Sequence, residues 1–225
     1  MNFLESIHTV CPVQVLAYML IALLAYLLGS MPTGFLVARA RGVDIRKAGS
    51  GNIGATNAFR ILGTGPGLLV LAVDALKGFV AVRLLALSIV WFLLPYDPHG
   101  KDVSGVVAGL FVVLGHNFTC WLGFKGGKGI ATSAGVFFAL APLAAAVALG
   151  AWVIVFLWSR YVSLASLVAA VVLPAATWMA GNGLIIPIVT TLLGLLAIFK
   201  HRTNIRRLLD GTENRVQFRK KEAAS

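Results

Sequence analysis

PVQVLAYMLIALLAYLLGSMPTGFLV, residues 12–37, contains no charged residue, and its reading decides the fold. A helix needs about 20 predominantly apolar residues to cross the hydrocarbon core of a bilayer, so this stretch is long enough for one crossing. The residues that follow reverse its character. Arg39, Arg41, Arg46, Lys47 and Arg60 stand against a single Asp44, and cytoplasmic loops collect Lys and Arg. The N-terminus is therefore expected outside the membrane and this loop in the cytoplasm. Glu5 and the absence of Lys or Arg before Arg39 leave no positive n-region of a secretory signal, and no small-residue cleavage site follows the apolar run. The segment is expected to be retained as the first span.

The rest of the chain repeats the pattern. Of its 225 residues, 59% are hydrophobic and 12% charged, the composition of an integral membrane protein rather than a soluble domain. Further spans are expected near Gly65–Leu94, Val103–Leu122, Gly129–Ala141, Pro142–Trp158, Ser163–Ala180 and Leu184–Phe199, which makes seven. Two stretches set the alternatives of five and eight: Gly129–Trp158 must split at Pro142, and Gly65–Leu94 contains Asp74, Lys77 and Arg83, with a possible break near Gly78. The tail is basic, with Lys200, Arg202, Arg206, Arg207, Arg215, Arg219, Lys220 and Lys221 against Asp210, Glu213 and Glu222, so it too belongs to the cytoplasm. The loops Pro95–Asp102 and Gly181–Gly183 then face out. The fold class is an all-α, polytopic membrane bundle of about seven helices, one domain over residues 1–225, packed through its many small residues.

The net charge of +11 would suggest nucleic acid in a soluble chain, but the positive-inside rule accounts for it, and no interleaving of aromatic and basic residues offers base stacking. No nucleic-acid partner is expected. In this topology Cys11 and Cys120 lie on opposite faces of the membrane and do not pair.

Three glycine-rich, basic stretches interrupt the apolar chain, all on the expected cytoplasmic side. In the first, Gly49, Gly51 and Gly54 are read as positive-φ positions that bring main-chain N–H groups to a ligand. Ser50, Asn52, Thr56 and Asn57 add neutral donors, Arg60 a phosphate-binding fork, and a helix starting after the glycines would reinforce anion binding. The second runs Phe124-Lys125-Gly126-Gly127-Lys128-Gly129-Ile130-Ala131-Thr132. Its spacing is not that of a Walker A loop; it is read as a main-chain nest flanked by Lys125 and Lys128, with a helix from about Ala131. His116 stands close to it in sequence as a candidate general base or phosphate donor. In the third, His201 and Asn204 are placed one turn apart on one helix, with Glu213 beyond Gly211. His201 and Glu213 alone do not make a metal site, and neither a metal nor a cofactor is expected. Ser163, after Ser159 and Arg160, reads as a substrate donor or a helix N-cap. Asp74 and Lys77, three residues apart, read as a structural ion pair.

Taken together, Gly29-Ser30-Met31-Pro32, the stretch from Asp44-Ile45-Arg46 to Arg60, Gly115-His116-Asn117-Phe118 with the Lys125–Gly129 loop, Ser159 to Ser166, and His201 to Glu213 resemble the bacterial acyl-phosphate glycerol-3-phosphate acyltransferases over almost the whole chain. The resemblance implies a multi-pass protein of the bacterial inner membrane with a cytoplasm-facing site. It would move an acyl group from acyl phosphate to the sn-1 hydroxyl of glycerol 3-phosphate, the first step of phospholipid synthesis, releasing lysophosphatidic acid and phosphate. It carries Ser50, Thr56, Arg60, His116, Lys125 to Gly129, Ser163, Asn204 and Glu213 into the site. Lys128, Arg60, His116, Asn204 and Glu213 are the catalytic candidates. Ser50, Asn52, Thr56, Asn57, Lys125, Gly126, Gly127, Gly129, Ser163 and His201 are the candidates for substrate binding. The partners implied are the two substrates and membrane lipids; the oligomeric state is unassigned, a monomer being the simplest case. Soluble-facing glycerolipid acyltransferases use a His and an Asp separated by four residues, and here the position so related to His116 is Trp121. The alternative from another class is an organic-phosphate transporter, which would need donors near the bilayer midplane and repeated halves; no clear repeat is present.

Overall fold

The computed structural model of the chain describes residues 12–94, 100–181 and 183–216. Glu5, His8, Cys11, residues 95–99 of the expected outward loop including His99, Asn182, and the tail residues Arg219, Lys220, Lys221 and Glu222 lie outside the described residues. Every regular element among those described is helical. The chain forms two compact units that divide between Leu140 and Ala141.

The first unit contains α1 (Pro12–Ser30), α2 (Thr33–Arg39), α3 (Ala55–Leu62), α4 (Thr64–Val80), α5 (Leu87–Leu93), α6 (Gly100–Asn117) and α7 (Ile130–Leu140). The opening apolar stretch is helical as expected, but it breaks at Met31-Pro32 because Pro32 has no N–H to continue the ladder. Small residues set the helix contacts. A Cβ on Gly29 would run into the Val112 carbonyl, one on Gly115 into the Tyr26 carbonyl, one on Gly78 into Thr132 and one on Gly135 into Ala75. The α1–α6 and α4–α7 pairs therefore approach backbone to backbone, the close packing that membrane helices rely on. The α1–α6 contact is also tied by polar groups, with Tyr26 Oη donating to the Phe118 carbonyl at 2.6 Å and Thr119 Oγ1 to the Ser30 carbonyl. Residues 64–93 do not break near Gly78. Between α4 and α5 the helix instead widens into a π-helical turn, Ala81–Ala86, with Arg83 exposed. Asp74 and Lys77 form the expected ion pair, Nζ to Oδ1 2.9 Å, with both side chains almost wholly buried.

The second unit contains α8 (Pro142–Ser159), α9 (Val162–Met179), α10 (Ile185–Lys200) and α11 (Arg202–Leu209). Pro142 occupies the first turn of α8, where its missing N–H costs nothing, and α8 starts there as the split at Pro142 predicts. Pro174 sits inside α9. Nearby, Thr177 Oγ1 donates to the Pro174 carbonyl at 2.8 Å and lies 2.8 Å from Thr190 Oγ1 of α10, a buried polar contact between the two helices.

Among the described residues four helical stretches are long and apolar enough to cross a membrane: Pro12–Arg39, Val103–Leu122, Pro142–Ser159 and Val162–Met179. A fifth is added if Ile185–Lys200 and Arg202–Leu209, bent by 56° at His201, count as one; Ile130–Leu140 is apolar but shorter. The apolar side chains of these spans face outward, Leu16 at 62% and Ile154 at 70% exposed, as helices bathed in lipid require.

Candidate active site

The first glycine motif is built on a small apolar core. Ala38, Ile45, Ile53, Ala58 and Val70 are buried together, and Phe35, Val43, Leu62 and Leu122 pack against them. Leu122 belongs to the turn that leads into the second motif, so this core joins the two motifs within the first unit. At its edge Asp44 caps a short 3-10 turn, Ile45–Lys47, accepting from the Arg46 amide at 3.1 Å. The hydrogen bond from the Arg46 side chain holds the Asp44 carboxyl down at about 2. Arg46 is thereby occupied, while Arg60 has no acidic partner among the described residues.

Asn57 is corrected from a ligand donor to a loop staple. It is 2% exposed. Its Oδ1 accepts from the Ser50 amide at 2.9 Å, and its Nδ2 donates to the carbonyls of Ala48 at 3.0 Å and Asn52 at 2.9 Å, with Ile45 at 3.3 Å. One carboxamide thus satisfies three main-chain groups, with Ile45 a weaker fourth contact, of a loop that has no regular ladder of its own. Asn52 is also partly used locally, its Oδ1 accepting from the Gly54 amide at 2.8 Å in an Asx turn. Gly49 and Gly51 adopt positive φ as expected, but Gly54 is extended, with φ −75°, and the Asn52 carboxamide lies against it. The chain then enters α3 at Ala55, which fulfils the expected helix after the glycines. The Ser50, Thr56 and Arg60 side chains remain on the exposed surface of this motif, with Thr56 and Arg60 one helical turn apart.

The second motif is a return loop on the end of α6. The Gly126 amide donates to the Asn117 carbonyl at 3.2 Å and the Gly127 amide to the His116 carbonyl at 3.0 Å. These two N–H groups satisfy the last carbonyls of α6 and are not the open nest expected for them. A Cβ on Gly126 would collide with the His116 carbonyl and one on Gly127 with the His116 imidazole, so Gly126 is required by the approach of main chain, and a side chain at 127 would have to displace the ring. Gly129, at φ 82° against the Asn117 carboxamide, turns the chain into α7, which starts at Ile130. His116 is buried, and its Nδ1 lies 3.7 Å from Asp74 Oδ1. Neither residue's spacing in the sequence revealed that link, because 42 positions separate them. Lys125 has no acidic partner among the described residues. The only acids of this unit whose side chains are described, Asp44 and Asp74, are both already engaged.

In the second unit the third motif is organised by Glu213. Ser163 Oγ and Asn204 Nδ2 donate to its Oε1 at 2.8 and 2.7 Å, and Arg207 Nε donates to Oε2 at 2.7 Å. Gly211, with φ 68°, makes the turn that sends the chain back from α11 to this position. Burial alone would raise the Glu213 carboxyl, but the hydrogen bonds from Arg207, Asn204 and Ser163 outweigh it and hold the group below the ordinary carboxylate range. Ser163 is therefore not a cap: it lies in the first turn of α9 and serves Glu213. His201 and Asn204 do not share one continuous helix. His201 closes α10 and opens α11, its carbonyl accepting from the Asn204 amide at 2.8 Å, while its Nδ1 lies 2.7 Å from the Ala197 carbonyl. Residues 215–216 close over the α8–α9 turn, Arg215 Nε donating to the Ser159 carbonyl and the Val216 amide to that of Arg160.

The model of the family described as glycerol-3-phosphate acyltransferase matches residues 19–211. The chain belongs to that family. This acyltransferase is 46% identical over 203 residues to the glycerol-3-phosphate acyltransferase of Synechococcus sp. (strain JA-3-3Ab), covering 89% of the chain and 94% of the relative. It is 43% identical over 197 residues to that of Aquifex aeolicus (strain VF5), covering 87% and 97%. Its fold matches the crystal structure of PlsY, an integral membrane glycerol 3-phosphate acyltransferase solved in a glycerol 3-phosphate form. The TM-score is 0.80 at 40% identity, over 89% of this chain and 96% of PlsY. The lysophosphatidic acid form of PlsY matches with a TM-score of 0.77. The acyltransferase is thus an integral membrane enzyme.

Proposed function

We propose that the chain transfers a fatty acyl group from acyl phosphate to the sn-1 hydroxyl of glycerol 3-phosphate. The hydroxyl oxygen forms the new ester bond to the acyl carbon, the bond from that carbon to the phosphate oxygen breaks, and phosphate leaves. The products are lysophosphatidic acid and inorganic phosphate. The departing phosphate accepts the hydroxyl proton, so no acyl-enzyme is required and His116 positions rather than abstracts. One observation carries this reading: Arg60 and Lys125 lie beside two turns that share one core, and the unit's described carboxylates, Asp44 and Asp74, are both engaged elsewhere. That is a setting for two phosphate groups, and PlsY, the solved relative, has been captured with glycerol 3-phosphate and with lysophosphatidic acid.

In this reading Lys125 and Lys128 hold the acyl phosphate, and Arg60 with Ser50 and Thr56 holds glycerol 3-phosphate. Within the second unit, Glu213 keeps Ser163 and Asn204 in place. The positive-inside rule supports an odd number of crossings, seven with the apolar runs as placed above, of the bacterial inner membrane, with the N-terminus outside and both the C-terminus and the active site in the cytoplasm. Alternating access is not needed, since both reactants reach the protein from the membrane surface. The deciding experiment is lysophosphatidic acid and phosphate production by purified protein given palmitoyl phosphate and glycerol 3-phosphate, with palmitoyl-CoA as control donor. Product from the acyl phosphate alone is expected; product from neither donor with folded protein rejects the assignment.

A further inference from the structure

Three polar groups converge on a single oxygen inside the first unit. Thr33 Oγ1 donates to Asp74 Oδ1 at 3.0 Å, Lys77 Nζ stands 2.9 Å from it, and His116 Nδ1 lies 3.7 Å from it. All four side chains are buried. Lys77 also donates to the Met31 carbonyl at 3.1 Å, which anchors the pair to the α1–α2 break. A carboxylate paired with a lysine and a hydroxyl is already a satisfied structural ion pair and has no need of a histidine. The third group sits at the start of the lysine-bearing loop. Its Nδ1 side faces the carboxylate, and its Nε2 occupies the space that a side chain at position 127 would take. The imidazole therefore stands between Asp74 and the main chain of that loop.

We propose that Asp74 is a positioning residue for acyl transfer: it sets the orientation of His116 and, through the ring, the course of the Lys125–Gly129 main chain. The inference rests on the function proposed above. At 3.7 Å the contact is too long for a direct hydrogen bond, but catalytic contacts of unliganded enzymes are often long and tighten with substrate. A carboxylate on that side favours the tautomer with the proton on Nδ1 and leaves Nε2 as the acceptor toward the loop. Asp74 itself touches no substrate. Arg60, on the other phosphate, is not part of this linkage, so the effect is specific to the donor side.

The test is a double-mutant cycle of Asp74→Asn and His116→Ala, with kcat and both KM values measured per folded enzyme. Thr177→Val, which removes a buried hydrogen bond in the second unit, serves as a stability control. Asp74→Asn is expected to lower kcat/KM for acyl phosphate on the order of 10- to 100-fold and to leave KM for glycerol 3-phosphate unchanged. The double variant is expected to fall no lower than the worse single variant, since both changes break one linkage. Effects that multiply, or a loss confined to melting temperature and folded fraction as in Thr177→Val, overturn the proposal. Should Asp74→Asn fail to fold because Lys77 is left buried without its partner, the neutral Asp74→Asn, Lys77→Met variant takes its place in the cycle. Independently, side-chain 15N shifts of His116 in the wild type are expected to report the Nδ1–H tautomer, and an Nε2–H tautomer refutes it. A wild type that makes no lysophosphatidic acid rejects the function itself, a result separate from an active wild type with multiplying effects.

Discussion

Asn57→Ala removes the staple of the first glycine motif while leaving the side chains of Ser50, Thr56 and Arg60 in the chain. Three hydrogen bonds of good length are lost, those with Ser50, Ala48 and Asn52, at 2.9, 3.0 and 2.9 Å. At about 1 kcal/mol net for each, the ordered loop loses about 3 kcal/mol relative to its open forms. The 3.3 Å contact to the Ile45 carbonyl adds little. Because every 1.4 kcal/mol is about a factor of ten, the open fraction rises on the order of 100-fold. Two measurements read this. Hydrogen exchange over residues 45–54 should lose protection by about that factor, while α1 and α6 keep theirs. In steady-state assays KM for glycerol 3-phosphate should rise with KM for palmitoyl phosphate unchanged. If activity falls while exchange over 45–54 stays as in the wild type, Asn57 acts on substrate directly and the staple argument is wrong.

Other outcomes follow from the same geometry. Gly126→Ala meets a main-chain carbonyl and should fail to accumulate as folded protein, whereas Gly127→Ala meets only the His116 ring and should fold with a lowered melting temperature. Combining Gly127→Ala with His116→Ala should restore the stability of His116→Ala alone; no restoration in thermal melts would show that the ring is not the obstacle. Lys128→Ala should abolish turnover at saturating substrate while His116→Ala retains a measurable rate, and complete loss in the histidine variant with intact fold would make it the base. Glu213 has a folded-state value below its ordinary one, so its stabilising contribution is complete above the unfolded value of about 4.3 and is lost as pH falls through the lower folded value. Melting temperatures of the wild type should therefore drop in that acid window and those of Glu213→Gln should not; parallel curves would exclude the clasp as the cause.

Much of the architecture was legible because it rests on local chemistry. The uncharged run at 12–37, the prolines at 32 and 142 and the glycines of the motifs act on their own neighbourhoods, and they gave helices close to where the pattern placed them. The site was legible as residue types and less so as roles. Asn57 reads as a donor when only its neighbours are known, yet the loop has unpaired main-chain groups on three sides and uses the carboxamide for them. Gly126 and Gly127 read as exposed N–H groups, but α6 ends directly above and its terminal carbonyls take them. Ser163 reads as a cap because caps are decided within four residues, whereas its partner Glu213 is 50 positions on. Asp74 and Lys77 were visible as a pair from their spacing; His116 joins them only through the packing of α4 with α6, which no periodicity encodes.

The Asp74–Lys77 pair also bears on how such a protein is assembled. Both members ride on α4, one turn apart, so in the seven-crossing topology they cancel within the span at 65–94 and leave Arg83 as its one uncompensated charge. Insertion of a lone charged residue at mid-membrane costs about 2.5–3.5 kcal/mol on biological scales, and a helix whose counter-ion lay on a later segment would bear that cost until the segment arrived. Here neutralisation comes before tertiary contact. Met31 and Thr33, which complete the polar contacts, lie earlier in the chain and are already in place when α4 emerges, so the order of synthesis presents each partner before the group that needs it.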